Sequence, residues 1–122
     1  MDSSPIAAEV PLSVSERRRF PRYRYSAPIT VRRPSLPEAQ GMSVEISECG
    51  ASVIMSASLN VGDTVELEPV GGGPAVAVVR RSLGKLCGFE FLDLSGEQAG
   101  KIREMCKMLP LYRSRTLDLW QR

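Results

Sequence analysis

From Ala27 to Leu94 the sequence is cut into short runs of β-favouring residues, closed about every ten residues by glycine, proline, asparagine or aspartate. A helix of ordinary length does not fit between such breaks, whereas strands of ~5–6 residues do. "APITVRR" (27–33) is the first candidate strand, closed by Pro34 and Pro37. "GMSVEIS" (41–47) sets Met42, Val44 and Ile46 against Ser43, Glu45 and Ser47. A period of two assigns the first set to a core and the second to solvent. "ASVIM" (51–55) follows Gly50, and a turn is expected at "NVGD" (60–63). "TVELEPV" (64–70) turns Val65 and Leu67 inward and Glu66 and Glu68 outward, and "GGGP" (71–74) is a hairpin connection. "AVAVVRR" (75–81), ending in Arg80 and Arg81, and "LCGFEFLDL" (86–94) complete six strands. Six short strands with hairpin connections point to an all-β domain, either a small antiparallel barrel or a sandwich.

After Leu94 the period changes. "SGEQAGKIREMCKMLP" opens with Ser95 and has Gln98 three residues later, the spacing of a reciprocal capping box. Ala99, Ile102, Cys106 and Leu109 share one helical face, and Pro110 stops the helix. This helix is expected to plug or flank the sheet. Residues 1–15 are small, polar and proline-punctuated and read as a disordered N-terminal segment, which leaves 16–110 as the folded domain. The tail, 111–122, carries Leu117, Leu119 and Trp120 and reads as a short second helix that folds back on the domain or meets a partner.

The charge is uneven. The chain has 16 basic and 14 acidic side chains, a net charge of +2. Arg17 to Arg33 holds seven arginines without a lysine or an acid, so the rest of the chain is net acidic. A local basic segment in such a chain suits a compact anionic ligand better than an extended polyanion. Arginine's planar fork matches phosphate oxygens and the O6 and N7 acceptors of guanine, and its face stacks on bases. The alternatives are a solvated basic arm, an arm held by surface acids, or arginines that merely flank Phe20 and Tyr23 as core anchors. A second pattern, acid-x-Ser-x-x-Gly, occurs at Glu45, Ser47 and Gly50 in "EISECGAS" (45–52). A carboxylate can accept from the N1–H and N2–H₂ edge of guanine, and a serine hydroxyl can donate or accept. An acid and a serine are also the ordinary polar filling of an exposed strand face.

Taken in order, "RRRFPR" (17–22), "EISECGA" and "CGFEFLDLS" resemble a PilZ domain over about Arg17 to Leu109. The resemblance implies a six-stranded antiparallel β-barrel with a C-terminal α-helix, of the type that binds the bacterial second messenger cyclic di-GMP. It implies that Arg17, Arg18 and Arg22 clasp phosphates and guanine Hoogsteen edges, and that Glu45, Ser47 and Gly50 contact guanine from the barrel surface. Ligand binding would then order the arm and reshape a surface for a downstream protein of motility, secretion or exopolysaccharide machinery. The family's second motif usually opens with Asp or Asn. The extra methylene of Glu45 pushes the carboxylate ~1.5 Å outward, and a base-edge pair is worth ~1–3 kcal/mol. Binding at least tenfold weaker than that of an aspartate version is therefore expected, but not its loss.

The alternative within the same fold is a protein-interaction adaptor that binds no nucleotide. A nucleic-acid polymer is disfavoured because the strands show no row of exposed aromatics for base stacking. Catalysis is disfavoured because the chain has no histidine, the commonest general base, and its cysteines lie in no nucleophile context. Cys49, Cys87 and Cys106, odd in number and far apart, read as reduced small hydrophobes. No run approaches the ~18 apolar residues of a membrane span, and the N-terminus lacks the features of a signal peptide. A cytoplasmic location is expected, and neither a cofactor nor a metal.

Overall fold

The computed structural model describes residues 20–112. The expected disordered segment, Arg17 and Arg18 of the basic arm, and the expected helix of the tail beyond Tyr112 lie outside the described residues. Seven strands and one helix follow in order: β1 (Tyr23–Arg24), β2 (Pro28–Arg32), β3 (Ala39–Ile46), β4 (Gly50–Met55), β5 (Thr64–Val70), β6 (Gly73–Leu83), β7 (Leu86–Phe91) and α1 (Gly96–Lys107). All pairings are antiparallel. The sheet runs β3-β2-β5-β6-β7-β4 and closes through β3–β4, giving the expected six-stranded barrel. The short β1 is additional and pairs with β3 beyond the end of β2.

The interior is the inward-facing alternation of these strands. Val31, Val53, Leu67, Ala77, Val79 and Cys87 are all but inaccessible to solvent. Helix α1 closes the barrel end where the β5–β6 hairpin lies, burying Ile102 and Cys106 in the same core. Ser95 caps α1 by accepting from the Gln98 amide at 3.1 Å. The reciprocal half of the expected capping box is not formed. The Gln98 side chain instead donates to the carbonyls of Val70 and Pro74 at 2.8 and 2.7 Å, tying the helix to the hairpin. That hairpin turns through Gly71 and Gly72, both at positive φ, as the glycine run predicts.

Strand β3 departs from the expected alternation. Met42 is 46% exposed, whereas Ser43 and Ser47 are buried. A register shift between Ser43 and Glu45 accounts for Met42 and Ser43: one extra residue on β3 reverses which side chains face inward before it. Beyond the shift Ile46 is buried as expected, and Ser47 lies in the turn that follows the strand. Burial of Ser43 is compensated by hydrogen bonds across the β1–β2 break. Its Oγ donates to the Tyr25 carbonyl and accepts from the Ala27 amide, the latter at 2.9 Å. Tyr23 and Tyr25 pack against the core, so β1 is anchored by side chains as well as by backbone. On its other edge β1 meets the chain that follows α1. The Arg24 amide donates to Pro110 O at 2.8 Å and the Tyr112 amide to Arg22 O at 2.9 Å.

Arg80 and Arg81 do not end a strand, as the sequence reading had them, but lie within β6, which continues to Leu83. A second register shift, between Val79 and Arg81, lets these two consecutive side chains both face solvent. Among the described residues no helix is long and apolar enough to cross a membrane.

Candidate functional site

The register of four strands builds the site. Glu45 on β3 pairs with Ser52 on β4, Ser52 with Gly88 on β7, and Gly88 with Arg81 on β6. These residues form one line across the outer barrel wall. Gly88 leaves a gap in the side-chain layer, and an open cavity of about 170 Å³ lies there, with Ser47, Gly50, Arg80 and Glu90 also on its lining. β1 supplies the remaining wall by holding Arg22 over it.

Arg22 and Glu45 meet in the cavity. Arg22 Nη1 lies 3.3 Å from Glu45 Oε2, which also accepts from Ser52 Oγ at 2.8 Å. The Glu45 side chain is only 12% exposed, and among the described residues its Oε1 is buried without a hydrogen-bond partner. A buried acceptor without a partner costs about 1–3 kcal/mol and more when charged. Glu45 Oε1 is therefore an acceptor with spare capacity on a residue that lines the cavity. Arg80 Nε pairs with Glu90 Oε1 at 2.6 Å, while Arg81, also on the lining, forms no ion pair among the described residues. Tyr112 places its ring 5.9 Å from Arg22 Cζ, within range for a cation–π contact.

The residues expected at the site divide. Arg22 and Glu45 both line the cavity and pair with each other there. Ser47 lines it, but its hydroxyl is occupied locally, accepting from the Cys49 and Gly50 amides at 3.2 Å each. It closes the β3–β4 turn, as serine hydroxyls do in such motifs. Gly50 also lines the cavity and packs against the next strand: a Cβ built on it would lie 2.1 Å from the Phe89 carbonyl oxygen. Absence of a side chain is required there whatever the cavity holds. The rest of the arginine-rich segment separates from the site. Arg32 pairs with Glu38, Glu66 and Glu68, and Arg33 donates to the Pro37 carbonyl at 2.7 Å. For Arg32 the reading of an arginine held by surface acids is correct.

Ser52 and Tyr112 were not among the expected site residues. Arg81 carried a signal as one of two adjacent arginines, but its placement opposite Gly88 depends on strand register. Among the described residues no group of three or more histidine, cysteine, aspartate or glutamate side chains could hold a metal ion.

The fold is thus a small barrel whose outer wall carries a charged cavity beside Arg22. The model of the PilZ domain family matches residues 16–107, and the chain belongs to that family. Comparison with curated protein sequences gives no match. Among solved structures the fold is similar to the PilZ domain of CeSA from a cellulose-synthesizing bacterium, at 20% identity and a TM-score of 0.57, covering 71% of this chain and 95% of that one. It is similar to the PilZ domain of YcgR from Escherichia coli, solved with c-di-GMP, at 14% identity and a TM-score of 0.59, covering 76% and 91%. It is also similar to the Bacillus subtilis inhibitor of motility, MotI or DgrA, at 20% identity and a TM-score of 0.62, covering 84% of this chain but 52% of that one.

Proposed function

We propose that the protein is a receptor for cyclic di-GMP that catalyses no reaction and acts in the cytoplasm by presenting an altered surface to a downstream protein. The observation that carries this reading is the Arg22 guanidinium and the Glu45 carboxylate together on the lining of one cavity, with Glu45 Oε1 left without a hydrogen-bond partner among the described residues. Arginine beside a carboxylate acceptor is complementary to a guanine nucleotide, whose phosphates and Hoogsteen edge accept and whose N1–H and N2–H₂ edge donates. Arg17 and Arg18 precede Arg22 by a few residues and would close over the same ligand. Ser47 and Gly50 would serve by fixing the turn that carries Glu45 and the cavity edge. The YcgR domain, a structural neighbour, was solved with this dinucleotide.

A second reading, an adaptor without a nucleotide, draws on one observation: Arg22 and Glu45 already satisfy each other in part. Titration calorimetry of the purified chain with cyclic di-GMP, beside an Arg18→Ala/Arg22→Ala variant, separates the two. Micromolar or tighter binding by the unsubstituted protein, lost in the variant, supports the receptor. No heat at millimolar ligand from a folded sample overturns it and leaves the adaptor.

A further inference from the structure

Beside the polar line of the cavity runs a second, apolar line. Met42 on β3 pairs with Ile54 on β4, Ile54 with Leu86 on β7, and Leu86 with Leu83 on β6. Ile54 and Leu83 lie two residues after Ser52 and Arg81, Leu86 lies two before Gly88, and Met42 lies three before Glu45, where the β3 bulge brings it into phase. All four are exposed, by 46, 48, 39 and 60%. Single exposed apolar residues are ordinary, but a contiguous apolar strip marks a surface that something covers. Its neighbours Val53 and Cys87 face inward, so the exposed strip is not part of the barrel interior.

The chain itself points to the occupant. Tyr112, where the described residues end, lines a cavity together with Leu83 and Leu86 of the strip. The ten residues that follow, "RSRTLDLWQR", include Leu117, Leu119 and Trp120. Leu117 is five residues along the chain from Tyr112, a reach of up to ~17 Å. Four neighbouring strands span ~14 Å at the usual inter-strand spacing. We propose that residues 113–122 dock on the outer barrel wall, laying Leu117, Leu119 and Trp120 on the strip formed by Met42, Ile54, Leu86 and Leu83. The strip is then an intramolecular seat for the C-terminus, directly beside the cavity that holds Arg22.

Trp120 is the only tryptophan, so its fluorescence reads the seat without a label. The experiment compares emission and acrylamide quenching of the full chain with an Ile54→Ser/Leu86→Ser variant, with free N-acetyltryptophanamide as the exposed reference. Circular dichroism monitors the fold. Should that variant not fold, Met42→Gln/Leu83→Asn, at the two ends of the strip, takes its place. The expected result is blue-shifted emission with quenching several-fold weaker than the reference, both moving to the reference in the variant and neither depending on protein concentration. A fully exposed indole in the unsubstituted chain overturns the proposal and leaves the strip to a partner protein. A shielded indole that the substitutions do not move overturns it in favour of another seat. Shielding lost on dilution, with a dimer in sedimentation, overturns it in favour of a second copy of the chain.

Discussion

Replacement of Ser43 by alanine removes one oxygen atom, and the structure gives that atom a specific task. Ser43 Oγ bonds the Tyr25 carbonyl and the Ala27 amide, the two ends of the break between β1 and β2. The side chain is buried, so alanine leaves a backbone acceptor and a backbone donor without that partner. Each buried group so orphaned costs about 1–3 kcal/mol, and partial rehydration at the arm brings the pair to about 2–3 kcal/mol. The Ser43 amide to Ala27 carbonyl bond, at 2.8 Å, survives the substitution, so the barrel itself remains paired. Loss therefore concentrates on β1 and on Arg22, which β1 carries. With ~4–8 °C per kcal/mol for a domain of this size, Tm is expected to fall by at least about 8 °C. Amide exchange is expected to accelerate at Ala27 and Arg24 while that at Val53 in β4 stays slow. Thermal unfolding by circular dichroism and exchange by NMR measure both. A Tm within 2 °C of the unsubstituted protein, with unchanged exchange at Ala27, would refute the staple.

Two further outcomes follow from contacts in the barrel. Gly50→Ala forces a methyl group against the Phe89 carbonyl, so the β4–β7 pair must shift. A loss of about 2–3 kcal/mol in urea unfolding is expected, of the order seen for overpacked sites, and stability equal to the unsubstituted protein would contradict the close approach. Burial pushes the Cys87 thiol above its ordinary value of 9.0. The native state therefore holds its proton more tightly than the unfolded chain does. Its contribution is fully present below that ordinary value and is lost as pH rises through the raised one. Urea midpoints are expected to be flat in this respect up to pH 8 and to fall above about pH 9, with a shallower fall for Cys87→Ala.

How much was legible in the sequence differs between strands and site. β5 was read correctly because Val65 and Leu67 alternate strictly with Glu66 and Glu68, and its neighbour β6 supplies inward Ala75, Ala77 and Val79 in phase. The misreading of β3 has a local cause. A bulge inserts one residue, and nothing in "MSVEIS" distinguishes a regular strand from a bulged one, since both serine and methionine fit either face. β1 escaped because two residues make no periodic pattern, and its order depends on Ser43 and on the chain after α1. The site is legible only in part for the same reason. Arg22 and Glu45 belong to local motifs, whereas Ser52, Gly88 and Arg81 join them through register across three strand pairs. A shift of one residue in any pair would move them to the other face.

Glu45 is where the local motif and the geometry meet, and Glu45→Asp tests both. With the longer side chain, Oε2 reaches Arg22 at 3.3 Å and Ser52 at 2.8 Å. An aspartate withdraws the carboxylate by ~1.5 Å, one C–C bond. If its backbone holds still, the Arg22 contact opens beyond the range of an ion pair. That pair is partly exposed and worth about 0.2–1 kcal/mol, so Tm is expected to move by a few degrees at most. Ligand affinity should respond more. In the present arrangement a phosphate or guanine must take Arg22 away from Glu45 before using it, and the glutamate must reposition to meet the base edge. Aspartate removes the first cost and shortens the second adjustment. Cyclic di-GMP is therefore expected to bind Glu45→Asp about tenfold tighter, a gain of about 1.4 kcal/mol within the ~1–3 kcal/mol of a base-edge pair. Calorimetric titration of the two proteins side by side decides it. Equal or weaker binding by a folded aspartate variant would mean that the Arg22–Glu45 pair preorganises the site, and that the longer side chain is the one this barrel is built to use.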